Sequence, residues 1–240
     1  MPALTHLTAT STRSMSLVAG LLLAILLSHF SGCSTASSAR NREGLRNYQT
    51  GNYQQAIQSF QQTLAADPND ANAYYNLAAT YYAMGKRSGD QALLKQAEGL
   101  YHQCLDLSPD HNDCYRGLAA LLVDTNRSES AFTLLKGWTE RSPQTTNPRI
   151  ELARLYEELG DRDTARRHLT DAIQIDQRNP RAWAALASVR EQDGHLAQAM
   201  ADYQQAYQLN QLQPGLAQRM ASLQQRIAMA GPTAGNTTQR

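Results

Sequence analysis

The sequence predicts an all-α fold, a stack of helical hairpins closed at its C-terminal end by one more helix. Three observations carry that expectation. Small and apolar residues recur at a fixed step of 34: Ala97, Ala131, Ala165 and Ala199, and likewise Leu118, Leu152 and Leu186. Within a step, apolar residues such as Leu77, Ala78 and Tyr81 fall on one helical face. Glycine or asparagine (Gly51, Gly85, Asn126, Gly160, Gly194) and proline (Pro68, Pro109, Pro143) punctuate the pattern where helices must end. Self-similarity at such a period means that each unit covers the apolar face of the next.

In chain order, residues 17–30 come first, an apolar run after a segment whose only charged side chain is Arg13. A membrane span needs about 20 residues, so this shorter run suits the core of a signal peptide. It ends in Phe30, Ser31, Gly32 and Cys33. Small residues just before a cysteine resemble the bacterial lipoprotein signal. That resemblance implies that residues 1–32 are cleaved off and that Cys33 carries lipid. Residues 33–38, rich in Ser, Thr and Ala, then form a flexible tether. Serine after the cysteine implies an outer-membrane lipoprotein facing the periplasm. An ordinary secretory signal and an uncleaved anchor helix are the alternatives.

Five units follow within residues 39–213, at 37–70, 71–111, 112–145, 146–179 and 180–213. The first is the weakest, with Arg40 where others carry Tyr74, Tyr115 or Trp183. The second is longer: Ala56 and Ala97 are 41 residues apart rather than 34. Gly85 is expected to cap its first helix, with a loop over Lys86–Asp90. Asp90 would be the N-cap of a second helix lengthened by Gln91–Leu94. Residues 214–230 read as a capping helix opened by Pro214. Met220, Leu223 and Ile227 would turn inward, and Gln218, Gln224 and Arg226 would face water. The tail 231–240 is expected to be disordered.

Tyr74, Leu77, Ala78, Tyr81, Gly85, Ala97, Tyr101 and Pro109 resemble the motif order of the tetratricopeptide repeat family. Trp183, Leu186, Ala187, Gly194, Ala199, Tyr203 and Ala206 repeat it. The resemblance implies a right-handed α-solenoid of five such hairpins plus the capping helix. It also implies a scaffold that binds protein or peptide in a concave groove, with no cofactor and no enzymatic activity. First-helix positions would line that groove, among them Leu45, Tyr48, Asn72, Tyr75, Tyr82, Arg116 and Arg154, with Ile150, Arg181 and Glu191. The tyrosines combine rigid apolar area with a hydroxyl, the mix enriched at binding hot spots. They sit off the repeat core of Leu77, Ala78 and Tyr81. The alternative is that they only fill gaps between helices. The family's clamp for chaperone tails is not matched, since Asp113 has the wrong charge for it.

Other chemistry is sparse. Of 22 Lys and Arg only Arg13 precedes Cys33, and none of the 21 Asp and Glu does, so the chain from Cys33 onward is neutral. That lacks the basic footprint of a nucleic-acid binder. No phosphate loop, nucleophile elbow or His-Glu-x-x-His pair is present. Cys104 and Cys114 stand at facing places across a turn, and an oxidising compartment would favour a disulfide there. Two packed thiols are the alternative. A metal would have to use His102 and His111 with these cysteines, at a spacing that fits no standard zinc pattern, and none is expected. Trp138, where other units are smaller, is expected to pack on Pro148 as core. A pilotin-like lipoprotein assisting pilus or secretin assembly, and a metal-handling protein, are the competing functional readings.

Overall fold

The computed structural model describes residues 38–213 and 215–230. Cys33, the signal segment, Pro214 and the tail 231–240 lie outside the described residues. All regular structure among the described residues is helical, and the helices fall into two compact units, divided between His111 and Asn112. No described helix is long and apolar enough to cross a membrane.

The first unit holds α1 (residues 38–49), α2 (Tyr53–Ala66), α3 (Ala71–Ser88) and α4 (Gln91–Leu107). Its core is built from the small register positions, Ala56, Ala73, Ala78 and Ala97, all at 0% exposure, with Phe60, Leu77 and Tyr101 filling the space between them. Gly44 lets α1 close on α2, because a Cβ there would lie 2.5 Å from the Phe60 ring. Buried Thr63 and Thr80 donate their hydroxyls to the carbonyls of Ser59 and Asn76 one turn back, which satisfies them inside the core.

Here the structure corrects one expectation. Gly85 does not end α3. It lies inside the helix, buried against Leu94, where a Cβ would sit 2.9 Å from the leucine side chain. The helix runs on through Lys86, Arg87 and Ser88 and ends at Gly89, whose φ of 72° is left-handed. At the same register Gly51, Asn126, Gly160 and Gly194 do turn the chain, with φ from 58° to 89°. The added residues therefore lengthen both helices of one hairpin rather than making a loop. Asp90 caps α4 as expected, accepting from the backbone N–H of Ala92 at 2.8 Å.

The second unit holds α5 (Asn112–Asp124), α6 (Ser128–Arg141), α7 (Asn147–Glu158), α8 (Arg162–Ile175), α9 (Pro180–Gln192), α10 (Leu196–Leu209) and α11 (Leu216–Ala230). Successive helices pack on each other, and first helices also meet first helices, α5 with α7 and α7 with α9. Side-chain caps recur at Asp161 and Asn179. One cluster joins α7, α8 and α9 through Ala153, Leu169, Ala182 and Leu186. Ile150 belongs to it at 6% exposure and also borders a hollow between the first helices. A second cluster seats α11: Leu216 and Leu223 are buried against Ala187, Tyr203 and Ala206, with Met220 and Ile227 packed beside them. Trp138 is core, and its ring stacks on that of Tyr115 at 4.0 Å and 6°.

Candidate functional site

The first-helix positions of the two units carry different chemistry. In the first unit they are aromatic and uncharged. The Asn76 amide donates to Asn41 Oδ1 at 2.9 Å and ties α3 to α1. Tyr75 packs at 6.2 Å on the ring of Tyr101, which is only 1% exposed, and at 5.6 Å on the imidazole of His111. Asn72 is exposed, and its Oδ1 lies 3.1 Å from His111 Nε2. Burial raises the Tyr101 hydroxyl pKa, and the nearby hydroxyls of Tyr75, Tyr82 and Tyr48 raise it further. Tyr75 thus packs on one buried tyrosine, which stays neutral, and Tyr82 and Tyr48 lie near enough to oppose its charge. Tyr48 itself is raised by burial and by Tyr53, whose ring lies 5.7 Å away. Leu45 is half-buried on α1. The lengthened end of α3 adds two cations, Lys86 at 5.8 Å from the centre of the Tyr82 ring and Arg87 at 5.1 Å from that of Tyr53.

Tyr75 is therefore not clear of the core, as its register suggests. It joins the exposed lining to the buried Tyr101, so it both packs and presents a hydroxyl.

In the second unit the same helix positions form a charged network. The Glu151 carboxylate, with its side chain 3% exposed, accepts from Arg116 Nε at 3.4 Å and from Arg181 Nη2 at 2.8 Å. Arg116 also holds Asp113 at 2.5 Å, and Arg181 donates to Asn147 Oδ1 at 3.0 Å. A buried carboxylate needs such partners, because desolvation without them is costly. Arg154 stands beside this cluster, exposed. Arg116, Glu151, Arg154, Glu157, Arg181 and Ser188 surround a hollow of about 200 Å³. Further along, Glu191 accepts from Tyr203 Oη at 3.0 Å and Arg219 Nε at 2.9 Å, and it also holds Arg226. Burial works against its charge, but the hydrogen bonds from Arg219 and Tyr203 and the two guanidinium charges outweigh it. Its carboxyl therefore titrates below the usual range. Arg226 is thus an anchor of α11 rather than a purely solvated side chain.

The remaining candidates are His102 and the two cysteines. His102 is exposed on α4. Cys104 is fully buried late in α4 of the first unit, and Cys114 is fully buried in α5 of the second. Sequence reasoning missed Glu151. The signal was available: Glu151 stands at the register of Gly117 and Ala185, where a charge has no place unless arginines meet it. The arginines of α11 that meet Glu191 had no such signal, because α11 lies beyond the repeats.

Comparison with known proteins agrees with the repeat fold. The family model described as TPR repeat matches residues 44–85, and two described as tetratricopeptide repeat match residues 129–189 and 180–211. The structure is similar to that of TTC0263, a thermophilic TPR protein in Thermus thermophilus. The two share 25% identity and a TM-score of 0.60, over 79% of this chain and all of that one. A chain of the APC/C hetero-tetramer Cut9-Hcn1 shares the fold at 15% identity and a TM-score of 0.53, over 80% of this chain and 37% of that one. The human Protein O-mannosyl-transferase TMTC1 is 23% identical over 169 residues. That stretch is 68% of this chain, but the chain spans only 18% of that protein's length. This chain is a tetratricopeptide-repeat protein.

Proposed function

We propose that this chain is a membrane-tethered scaffold that binds a protein or peptide partner along the first-helix faces of its repeats, and that it is not a catalyst. The tyrosine cluster of the first unit carries the reading. Tyr48, Tyr75 and Tyr82 present amphipathic rings near buried Tyr101, with the amides of Asn41 and Asn72 nearby to meet backbone groups. Rigid aromatic anchors with polar tips are what protein recognition favours. The tether rests on the apolar run and Cys33. A lipid there would hold the scaffold in the bacterial cell envelope, at the outer membrane facing the periplasm. Two or more acyl chains would make that anchoring stable. A disulfide between Cys104 and Cys114 belongs to the same proposal, since an oxidising compartment favours it.

The test is crosslinking in intact cells followed by recovery of the chain from membranes. Tyr75→Ala with Tyr82→Ala should weaken partner recovery by an amount equivalent to about 2 kcal/mol or more. Because Tyr75 supports Tyr101, the Tyr82→Ala single variant is run beside the pair, with circular dichroism on both. Unchanged recovery with folded protein would place the site elsewhere. In the same cells Cys33→Ser should shift the chain out of the membrane fraction, and an unshifted chain would refute the lipid anchor.

A further inference from the structure

We infer that the outer face of α1 is a docking surface for an anionic lipid bilayer, through Arg40, Arg42 and Arg46. The inference rests on the lipid-anchor reading and adds to it how the array meets the membrane.

The charge gathers at one end. From Ser38 to Ala66, through α1 and α2, the only charged side chains are these three arginines and Glu43, so the stretch carries a positive excess. The chain from Cys33 onward is neutral, and the excess is balanced further along. The next acids, Asp67 and Asp70, are engaged at the following turn. Asp67 Oδ1 accepts from the backbone N–H of Asn69, and Asp70 Oδ1 from that of Ala73.

The fold gains little from this arrangement. Arg42 and Arg46 are exposed and one turn apart on the same helix face, where like charges repel. Arg40, half-buried, lies in the first turn of α1, where the helix dipole opposes a cation. No hydrogen bond or ion pair holds the three guanidiniums among the described residues, and α2 has no acidic side chain to offer them. In the second unit, by contrast, Arg116, Arg181, Arg219 and Arg226 each meet a glutamate. The side of α1 away from Arg42 and Arg46 is the one that packs: Gly44 faces the Phe60 ring, and Asn41 accepts from Asn76.

The tether names the occupant. Cys33 and the four residues after it precede α1, and a fully extended stretch of that length spans at most about 18 Å. A lipid on Cys33 therefore keeps the start of α1 within about 18 Å of the headgroups. Arg42 and Arg46 lie one and two turns further along the helix. A negative bilayer attracts cations over roughly a Debye length, about 10 Å. The anchor thus holds the arginines where they sample that layer, and each guanidinium pairs with lipid phosphate.

The test uses the chain from Cys33 onward, which holds every described helix, with one myristoyl chain coupled chemically to the Cys33 thiol. Cys104 and Cys114 are fully buried and do not compete for it. A single acyl chain binds a bilayer only marginally, so the part played by charge shows in the partition. Co-sedimentation is measured with vesicles of phosphatidylcholine alone and with vesicles in which phosphatidylglycerol replaces part of it. An arginine near the surface contributes about fivefold. With Glu43 opposing, the chain should prefer the anionic vesicles by about tenfold or more. Arg40→Gln, Arg42→Gln and Arg46→Gln together should remove the preference, Lys at all three places should keep it, and added salt should reduce it. Lys136→Gln, Arg167→Gln and Arg178→Gln together take the same charge from exposed places in the second unit and should leave it unchanged. Equal partition onto both vesicles, or an equal loss in the two triple Gln variants with folding checked by circular dichroism, would overturn the surface. Because the acyl chain is attached chemically, these results do not depend on lipidation in cells. A Cys33→Ser chain that stays in the membrane fraction would sink the natural anchor alone.

Discussion

The two units use one repeat and line its first helices in opposite ways. In the first unit the positions at Asn41, Leu45, Tyr48, Tyr75 and Tyr82 carry no charge, and the polar contacts run between amides and an imidazole. In the second, Glu151 and Glu191 each collect two arginines, and Asp193 is shared by Arg162 and Arg166. The cores do not differ in kind: alanines at 0% exposure hold the helices together in both. Close packing thus fixes only the small and apolar register, and the lining between is free to take up whatever chemistry recognition requires. Stability should follow the same division, resting on apolar packing in the first unit and partly on the charge of Glu191 in the second.

The largest effect expected tests the apolar side. Tyr101→Ala empties the centre of the first unit and removes the surface on which Tyr75 packs, at a cost of about 3–5 kcal/mol. Tyr101→Phe keeps the ring and its packing, and it should cost no more than about 1 kcal/mol. Thermal melts followed by circular dichroism separate the two. A Phe variant as damaged as the Ala variant would mean that the first unit depends on a polar network after all.

How much of this was legible in the sequence depends on what each residue's neighbours are. The recurring Ala97, Ala131, Ala165 and Ala199 name the core because a helix contact needs a small residue whatever lies opposite. Asp90 as an N-cap was readable for the same local reason. Gly85 was misread because a glycine that permits close packing and one that turns the chain look alike in a single sequence. The choice is made by Leu94 from the next helix. Trp138 was assigned to the core correctly, but its stacking on Tyr115 was not foreseen, because a single sequence does not say which aromatic ring will meet it. Of the candidate sites, the tyrosines were visible from the register alone. The register of Glu151 signalled a buried carboxylate, but which arginines would meet it was not legible, since that depends on three helices arriving together.

Next in size is the node on Glu191, which tests the charged side. Its folded pKa lies below the ordinary glutamate value of about 4.3. It therefore contributes stability that is present above that pH and lost as pH falls through the depressed folded value. Glu191→Gln should cost about 1–2 kcal/mol at pH 7. The lower end is expected, since Arg219 and Arg226 are about half exposed and solvent screens them. The gap between variant and wild type should close as the pH is taken below about 4. Denaturant midpoints measured over that range check this, and a gap independent of pH would mean that shape rather than charge seats α11.

The smallest effect concerns His168 on α8. Its ring stacks on Tyr156 at 5.4 Å, and Tyr156 in turn meets Phe132 at 4.7 Å. Burial lowers its pKa. Arg149, Arg167 and Lys136 lower it further by opposing the imidazolium, and Asp171 offsets part of this. The folded chain then binds fewer protons than the unfolded chain below the ordinary histidine value of about 6.5. Its contribution is complete above that pH and is lost as pH falls through the folded value. The side chain is only partly buried, so screening limits the effect to about a few tenths of a kcal/mol. Urea midpoints of wild type and His168→Gln at about pH 7.5 and 5.5, either side of that ordinary value, provide the measurement. Wild type should lose more than the variant over that interval. An equal loss would place the acid sensitivity of the second unit in its carboxylates alone. A larger loss in the variant would mean that imidazolium is favoured there, with Asp171 rather than the three cations setting the local field.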